Sequence, residues 1–265
     1  MSFLQCGSAV HYYRLRAGAQ GAPTLAFING LGTDHRIWDD VVAALPPALS
    51  VLVYDLRGQG LSEPGTARYD LSGLAADLEQ LLQRLDTGPV VPVGFSLGGL
   101  VAQELAHRYP TRLRALVLCA TAGRIANVEV WQQRAAQARE GGIAAIADGA
   151  MERWFSRDFR EREPHQVRGY RRLLLGSDLG SYLSAVGVLA ESDLRGRAGE
   201  LTLPTLLVAA SADVATPPDG MRELGAAIRG SHLDVLDGSG HLLGVEQPEA
   251  LAGCIVQFLK GNGLV

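Results

Sequence analysis

Six short apolar runs are spaced along this chain, at 24–28, 51–54, 90–93, 113–119, 205–209 and 233–236, and most are apolar at nearly every position rather than at alternate ones. A strand that is apolar on both faces has to be covered on both faces, which is the situation of a mostly parallel sheet flanked by helices. The stretches between the runs supply those helices. Residues 70–85 place Leu71, Leu74, Ala75, Leu78, Leu81, Leu82 and Leu85 at helical spacing, with Asp77, Glu79, Gln80 and Arg84 turned elsewhere. Residues 97–109 read as a second helix, stopped by Pro110. The segments 3–5 and 9–16 around Gly7-Ser8 read as an antiparallel hairpin, which brings the expected sheet to eight strands.

The alternation of strand and helix stops between about Arg124 and Arg195 and resumes at Leu201. In that interval the segments 128–139, 143–155, 166–175 and 179–191 all read as helices. The expected organisation is an α/β core made of residues 1–123 and 196–265, with a helical cap, 124–195, inserted after the sixth strand. Ligands of open α/β sheets bind beyond the carboxyl ends of the strands, and an insertion leaving there covers that crevice.

Composition narrows the function. With 24 basic against 28 acidic side chains the net charge is −4, which argues against a general nucleic-acid binder. Cys6, Cys119 and Cys254 are too dispersed for a disulfide framework or a zinc site, so no metal is expected. The amino terminus shows no basic segment followed by an apolar stretch, and the apolar run 43–54 is broken by Pro46 and Pro47. The chain therefore reads as soluble and cytoplasmic, with no membrane partner. Its 32 glycines form no repeat and call for local explanations.

One explanation is Gly94-Phe95-Ser96-Leu97-Gly98, a Gly-x-Ser-x-Gly between an apolar strand and an amphipathic helix. Glycines on either side of a serine at a sharp strand-to-helix turn allow close backbone approach, and the helix amino terminus directs N–H groups toward that serine. The same residues also fit a plain glycine-rich turn. A serine hydroxyl needs a base to act as a nucleophile. Of six histidines, His241 in the loop Asp237-Gly238-Ser239-Gly240-His241 after the last strand is the best placed, with His35 also able to approach the pocket and His107 expected on the exposed end of a helix. The acid that orients the base is assigned to Asp213, at the carboxyl end of the strand 205–209; Asp237 competes, and Asp213 also fits a turn ahead of Thr216-Pro217-Pro218. The backbone N–H groups of Leu97 and of Leu31, in the glycine-rich loop 29–33, are the expected oxyanion donors.

With these residues in the order Ser96, Asp213, His241, the chain resembles the α/β-hydrolase superfamily, through Asn29-Gly30-Leu31-Gly32-Thr33-Asp34, Asp55-Leu56-Arg57-Gly58-Gln59-Gly60-Leu61-Ser62, Gly94 to Gly99, Asp213 and Gly240-His241. Within it the likeness is greatest to 3-oxoadipate enol-lactonases of aromatic-compound catabolism, carried by Trp131-Gln132-Gln133-Arg134, Arg139-Glu140-Gly141-Gly142-Ile143 and Glu152-Arg153-Trp154-Phe155. Asn29-Gly30 stands where many members have His-Gly. The resemblance implies a serine hydrolase that opens a small-molecule enol lactone without metal or organic cofactor. It also implies a pocket in which Arg134 or Arg36 meets a substrate carboxylate and Trp131, Trp154 or Trp38 lines the wall; each of these also fits a surface or packing role. A carboxylesterase or another lactonase is the near alternative, and a ligand receptor on the same fold a more distant one.

Overall fold

The computed structural model describes residues 2–19, 21–66 and 69–265. The apolar runs become β3 (Thr24–Ile28), β4 (Ser50–Tyr54), β5 (Val90–Phe95), β6 (Leu116–Cys119), β7 (Thr205–Ala210) and β8 (His232–Leu236), and the amino-terminal hairpin becomes β1 (Ser2–Cys6) and β2 (Ala9–Arg16). They form one sheet in the order β1-β2-β4-β3-β5-β6-β7-β8. The hairpin joins it antiparallel, and β4 through β8 run parallel with β3. Every residue of β3, β5, β6 and β7 is buried, as continuous apolar runs require, whereas the edge strands β1 and β8 are largely open. β6 is shorter than the run 113–119 suggests: Leu113 makes only an isolated bridge to Val90 before the chain bends into the strand.

The helices are α1 (Asp39–Ala44), α2 (Leu71–Arg84), α3 (Leu97–Arg108), α4 (Val128–Gly141), α5 (Ala144–Trp154), α6 (Arg157–Arg162), α7 (Pro164–Leu175), α8 (Leu179–Glu191), α9 (Pro218–Ala227), α10 (Leu243–Glu246) and α11 (Pro248–Gly261). Asp70 starts α2 by accepting the Gly73 N–H on its side chain, and the leucine face of the helix then packs on α3. Helices α4 to α8 lie between β6 and β7 and pack largely on one another, α4 against α5 and α8, α5 against α7. α6 is additional to the four helices expected there. Ser156 caps it by accepting the Phe159 N–H, and six residues are too few to show a period. Among the described residues no single helix is long and apolar enough to cross a membrane.

The strand order positions the site. From β3 the chain goes to β4 on one side and then to β5 on the other, so the carboxyl ends of β3 and β5 face a shared crevice. The β3–β5 register pairs Ile28 with Gly94, which sets the loop after β3 beside the turn that carries Ser96.

Two histidines away from the carboxyl ends of the strands are also covered: His11, in β2, is 1% exposed, and His107, expected on an exposed helix end, has a side chain only 3% exposed beside Glu200. Burial holds both imidazoles below the ordinary histidine value. Their folded pKa values lie below the unfolded ones, so the unfolded chain binds protons first as the pH falls. Stability is therefore expected to be full above about pH 6.5 and to decline below it. Thermal melts between pH 7.5 and 5.5 should show a falling Tm, with a shallower slope in His11→Gln; a flat profile in the native chain would contradict the assignment.

Candidate active site

Ser96 sits between the last residue of β5 and the first of α3, at φ 54° and ψ −116°. A non-glycine residue in this region is strained and persists only where its surroundings over-determine it. Here they do. The Ser96 N–H donates to Cys119 O at 3.0 Å, and its carbonyl accepts from the Thr121 hydroxyl at 2.8 Å and from the Gly99 and Leu100 N–H groups. The flanking glycines make the turn possible by the space they leave empty. A Cβ on Gly94 would lie 2.3 Å from Gly98 O, and one on Gly98 would lie 2.4 Å from Ile28 O. The elbow and the loop after β3 are thus in backbone contact.

That loop is held from both ends. Asn29 donates from Nδ2 to Thr33 O at 2.6 Å and accepts the Leu56 N–H on Oδ1 at 3.0 Å. Three of the four N–H groups in residues 30–33 have acceptors: Gly30 on Thr33 Oγ1, Gly32 on Gln59 Oε1 and Thr33 on Gly30 O. The Leu31 N–H has none among the described residues. Leu97, as the first residue of α3, precedes the first N–H that an intrahelical carbonyl can take. A Cβ on Gly30 would lie 3.2 Å from the Ser96 Cβ, so the loop bearing the free Leu31 N–H abuts the serine.

His241 and Asp213 are brought together from β8 and β7. The Ala212 N–H donates to Ser239 O at 2.9 Å, tying the two loops, and His241 Nδ1 lies 2.8 Å from Asp213 Oδ2. Asp213 Oδ1 also accepts the Ala215 and Thr216 N–H groups, and Oδ2 accepts the Thr216 hydroxyl at 2.7 Å. Burial works hardest against this carboxylate, but the charge and hydrogen bond of His241 together with the Thr216 donors outweigh it, and the carboxyl titrates below its ordinary value. An ionised Asp213 accepts a proton bond from Nδ1, which leaves Nε2 as the basic nitrogen. The imidazole packs on Phe95, the neighbour of Ser96, at a ring distance of 4.7 Å. The rival acid, Asp237, is instead bonded to the Ser211 hydroxyl, and His35 is bonded through Nδ1 to Asp55.

The aromatic and basic candidates separate. Trp38 is buried in the core between Phe27 and Phe95. Trp131 donates its indole N–H to Ile125 O at 2.6 Å, which ties α4 to the chain before it. Trp154 reaches the loop after β3: its Cζ2 lies 3.5 Å from where a Gly32 Cβ would stand, beside Tyr182 and Leu174. Arg36 is paired with its neighbour Asp34. Arg134 stands near Arg153 and Tyr182. Burial and then the Arg134 charge hold Arg153 below its ordinary value, while burial raises the Tyr182 phenol against the pull of both arginines. Thr216, Gln59 and Arg153 stand in segments quoted from the sequence but have no functional role assigned there; the Asp213-x-x-Thr216 spacing of a capping turn is the one local signal among them. Asp34, His35 and Asp55 also converge, but Asp34 is taken up by Arg36 and Asp55 by His35 and the Leu61 N–H.

With that geometry in place, comparison with known proteins identifies the family: the alpha/beta hydrolase family matches residues 25–253. The chain belongs to it. A 3-oxoadipate enol-lactonase from Acinetobacter baylyi is 34% identical over 244 residues, 92% of this chain and 91% of that one. The crystal structure of an enol-lactonase from Burkholderia xenovorans superposes with a TM-score of 0.93 at 34% identity, covering 98% of this chain and 100% of that one. A thermophilic esterase from Thermogutta terrifontis, solved with malate bound, gives 0.89 at 27% identity with 99% of each chain covered. This family member is a hydrolase acting on esters or lactones.

The contact of Gly98 with Ile28 O makes a specific expectation. Gly98→Ala has to push the loop after β3 away from Ser96, and if the Leu31 N–H is the oxyanion donor that the sequence leads one to expect, its loss lowers kcat by about 10²–10³. Hydrolysis of p-nitrophenyl acetate by a variant with native circular dichroism checks it; turnover near the native rate would show that the spacing does not matter.

Proposed function

We propose that the chain is a serine hydrolase that opens 3-oxoadipate enol-lactone to 3-oxoadipate, with Ser96 as nucleophile, His241 as base and Asp213 as its orienting acid. The observation that carries this reading is the match to enol-lactonases over nearly the whole of both chains, the α4–α8 segment included. In this reading residues 124–195 act as a cap on the core 1–123 and 196–265. The cap's Trp154, Tyr182 and Leu174 lie against Gly32, next to the free Leu31 N–H.

His241 Nε2 takes the Ser96 proton as Oγ adds to the lactone carbonyl, and the Leu31 and Leu97 N–H groups hold the oxyanion. Collapse breaks the ring C–O bond. The departing oxygen leaves as an enolate and receives the proton from His241 to give the enol, which tautomerises to the ketone, so the leaving group is better than a simple alkoxide. A water that gives its proton to His241 then adds to the acyl-enzyme, and the acid leaves as Ser96 recovers its proton. The residues named perform every step, with no cofactor in the scheme.

The arginines support a carboxylate-bearing substrate. Arg134 and Arg153 are half-buried neighbours of like charge, and neither is in an ion pair among the described residues. Such a pair is unfavourable unless an anion joins it. The malate in the esterase neighbour shows a dicarboxylate accommodated on this fold. That neighbour also favours the second reading, a carboxylesterase with the same residues in the same roles.

Purified protein should turn over the enol lactone more efficiently than p-nitrophenyl acetate, and Ser96→Ala should lose about 10⁴-fold or more in kcat/KM. Efficient ester cleavage with negligible lactone opening would select the esterase. Removing the cation with Arg134→Ala is expected to raise KM for the lactone about tenfold or more while KM for p-nitrophenyl acetate stays near the native value. Equal effects on both substrates would place Arg134 in packing alone.

A further inference from the structure

Between α5 and α6 the chain crosses the loop that carries His241. Trp154 ends α5, Phe155 is extended, and Ser156 caps α6. This short strap meets the histidine loop on both sides of His241. On the far side, the Leu242 N–H donates to Trp154 O at 2.8 Å. On the near side, a Cβ on Gly240 would lie 2.4 Å from Ser156 N and 2.8 Å from the Phe155 carbonyl carbon. The backbone that carries the imidazole is therefore fastened twice, to the core through the Ala212 N–H on Ser239 O and to the strap through residues 240 and 242.

One carboxylate holds the strap there. Glu246, at the end of α10, follows His241 by five residues, and its own N–H returns to Leu242 O at 3.0 Å. Its Oε1 accepts the Ser156 N–H at 2.8 Å and its Oε2 accepts the Ser156 hydroxyl at 2.7 Å. The place of a Gly240 Cβ is 2.6 Å from the same Oε1, so the carboxylate stands against Gly240 as well as Ser156. Glu246 is in no ion pair among the described residues, and both of its oxygens go to the strap. Hydrogen bonds to an ionised acceptor are stronger than neutral ones, and Ser156 is buried, so losing the carboxylate leaves a covered N–H without an acceptor. Resting on the reading of His241 as the base, we propose that Glu246 is a positioning residue. By fastening Ser156 it holds the strap against residues 240–242, and so fixes where the imidazole stands relative to Asp213 and the Ser96 turn.

Two substitutions test the two bonds. Glu246→Gln keeps an oxygen for the Ser156 N–H and offers an amide donor to the Ser156 oxygen; Glu246→Met fills the same space and offers neither. Glu246→Met should lower kcat for p-nitrophenyl acetate about 10²-fold, the scale of a misplaced catalytic group, with KM near the native value. Glu246→Gln should restore most of the loss. If Glu246→Met keeps the native kcat, or Glu246→Gln is as impaired as Glu246→Met, the two bonds do not position the base.

A second measurement does not depend on turnover. The Nδ1 proton that His241 shares with Asp213 is followed in the far-downfield ¹H spectrum, identified by its absence from His241→Gln. It should move upfield or broaden in Glu246→Met and keep its native position in Glu246→Gln; a lower kcat with this proton unmoved overturns the proposal. Should Glu246→Met not fold, Ser156→Ala, which removes the hydroxyl bond and keeps the N–H one, should move the same proton in the same direction, and an unmoved proton is again the contrary result. If His241→Gln hydrolyses the ester at the native rate, or the native chain does not hydrolyse it, the reading of His241 as base has failed instead, and the Nδ1 proton alone then decides whether Glu246 holds the imidazole.

Discussion

The backbone contact between the Ser96 turn and the end of β3 is the constraint on which the rest of this structure depends. Gly98 passes so close to Ile28 O that no side chain fits between them, and Gly94 meets Gly98 O in the same way. This closeness lets a serine hold φ 54°, with its amide on Cys119 O and its carbonyl on the Thr121 hydroxyl. It also sets the loop after β3 against the serine, whose Cβ lies 3.2 Å from where a Gly30 Cβ would stand. The parallel pairing of β3 with β5 and the register Ile28 to Gly94 are the larger conditions of that contact.

Polar groups then hold the loops in place from outside the contact. Two carboxamides do most of this for the loop after β3: Asn29 bridges Thr33 O and the Leu56 N–H, and Gln59 takes the Gly32 N–H. Asn29 stands where many relatives of the fold were expected to have histidine, and its amide serves as donor and acceptor at once. On the other side of the site, burial is outweighed by the charge and hydrogen bond of His241, to which Thr216 adds two donors, so the Asp213 carboxyl stays below its ordinary value. The imidazole is left with one nitrogen committed and the other available. Helices α4 to α8 add a different kind of chemistry. They bring an apolar cover, Trp154, Tyr182 and Leu174, down onto Gly32, and they hold Arg134 near Arg153, with neither in an ion pair among the described residues.

Much of this was legible in the chain because it is carried by short-range pattern. The strands β3, β4, β5 and β7 are apolar at consecutive positions, α2 shows its leucines at helical spacing, and Gly-x-Ser-x-Gly announces a turn within five residues. Where the pattern is too short or ambiguous, the reading loses detail. α6 has six residues and one cap, and the run 113–119 begins with residues that bend rather than pair. His107 looked exposed because a helix end usually is, yet the chain near Glu200 closes over it.

By itself the sequence determined the class of fold, the order of the strands along the chain and the places where a nucleophile, a base and an acid could stand, since these follow from local hydrophobicity, glycine and turn chemistry. Tertiary structure alone decided which acid meets His241. Asp237 is four residues away in the chain and bonds to Ser211, whereas Asp213 arrives from the neighbouring strand through the parallel pairing of β7 and β8. It also decided that Trp131 packs while Trp154 reaches Gly32 in the loop after β3, and that Gln59 grips Gly32 across 27 residues. Those outcomes depend on distances between segments that share no local pattern, so only the folded chain could set them.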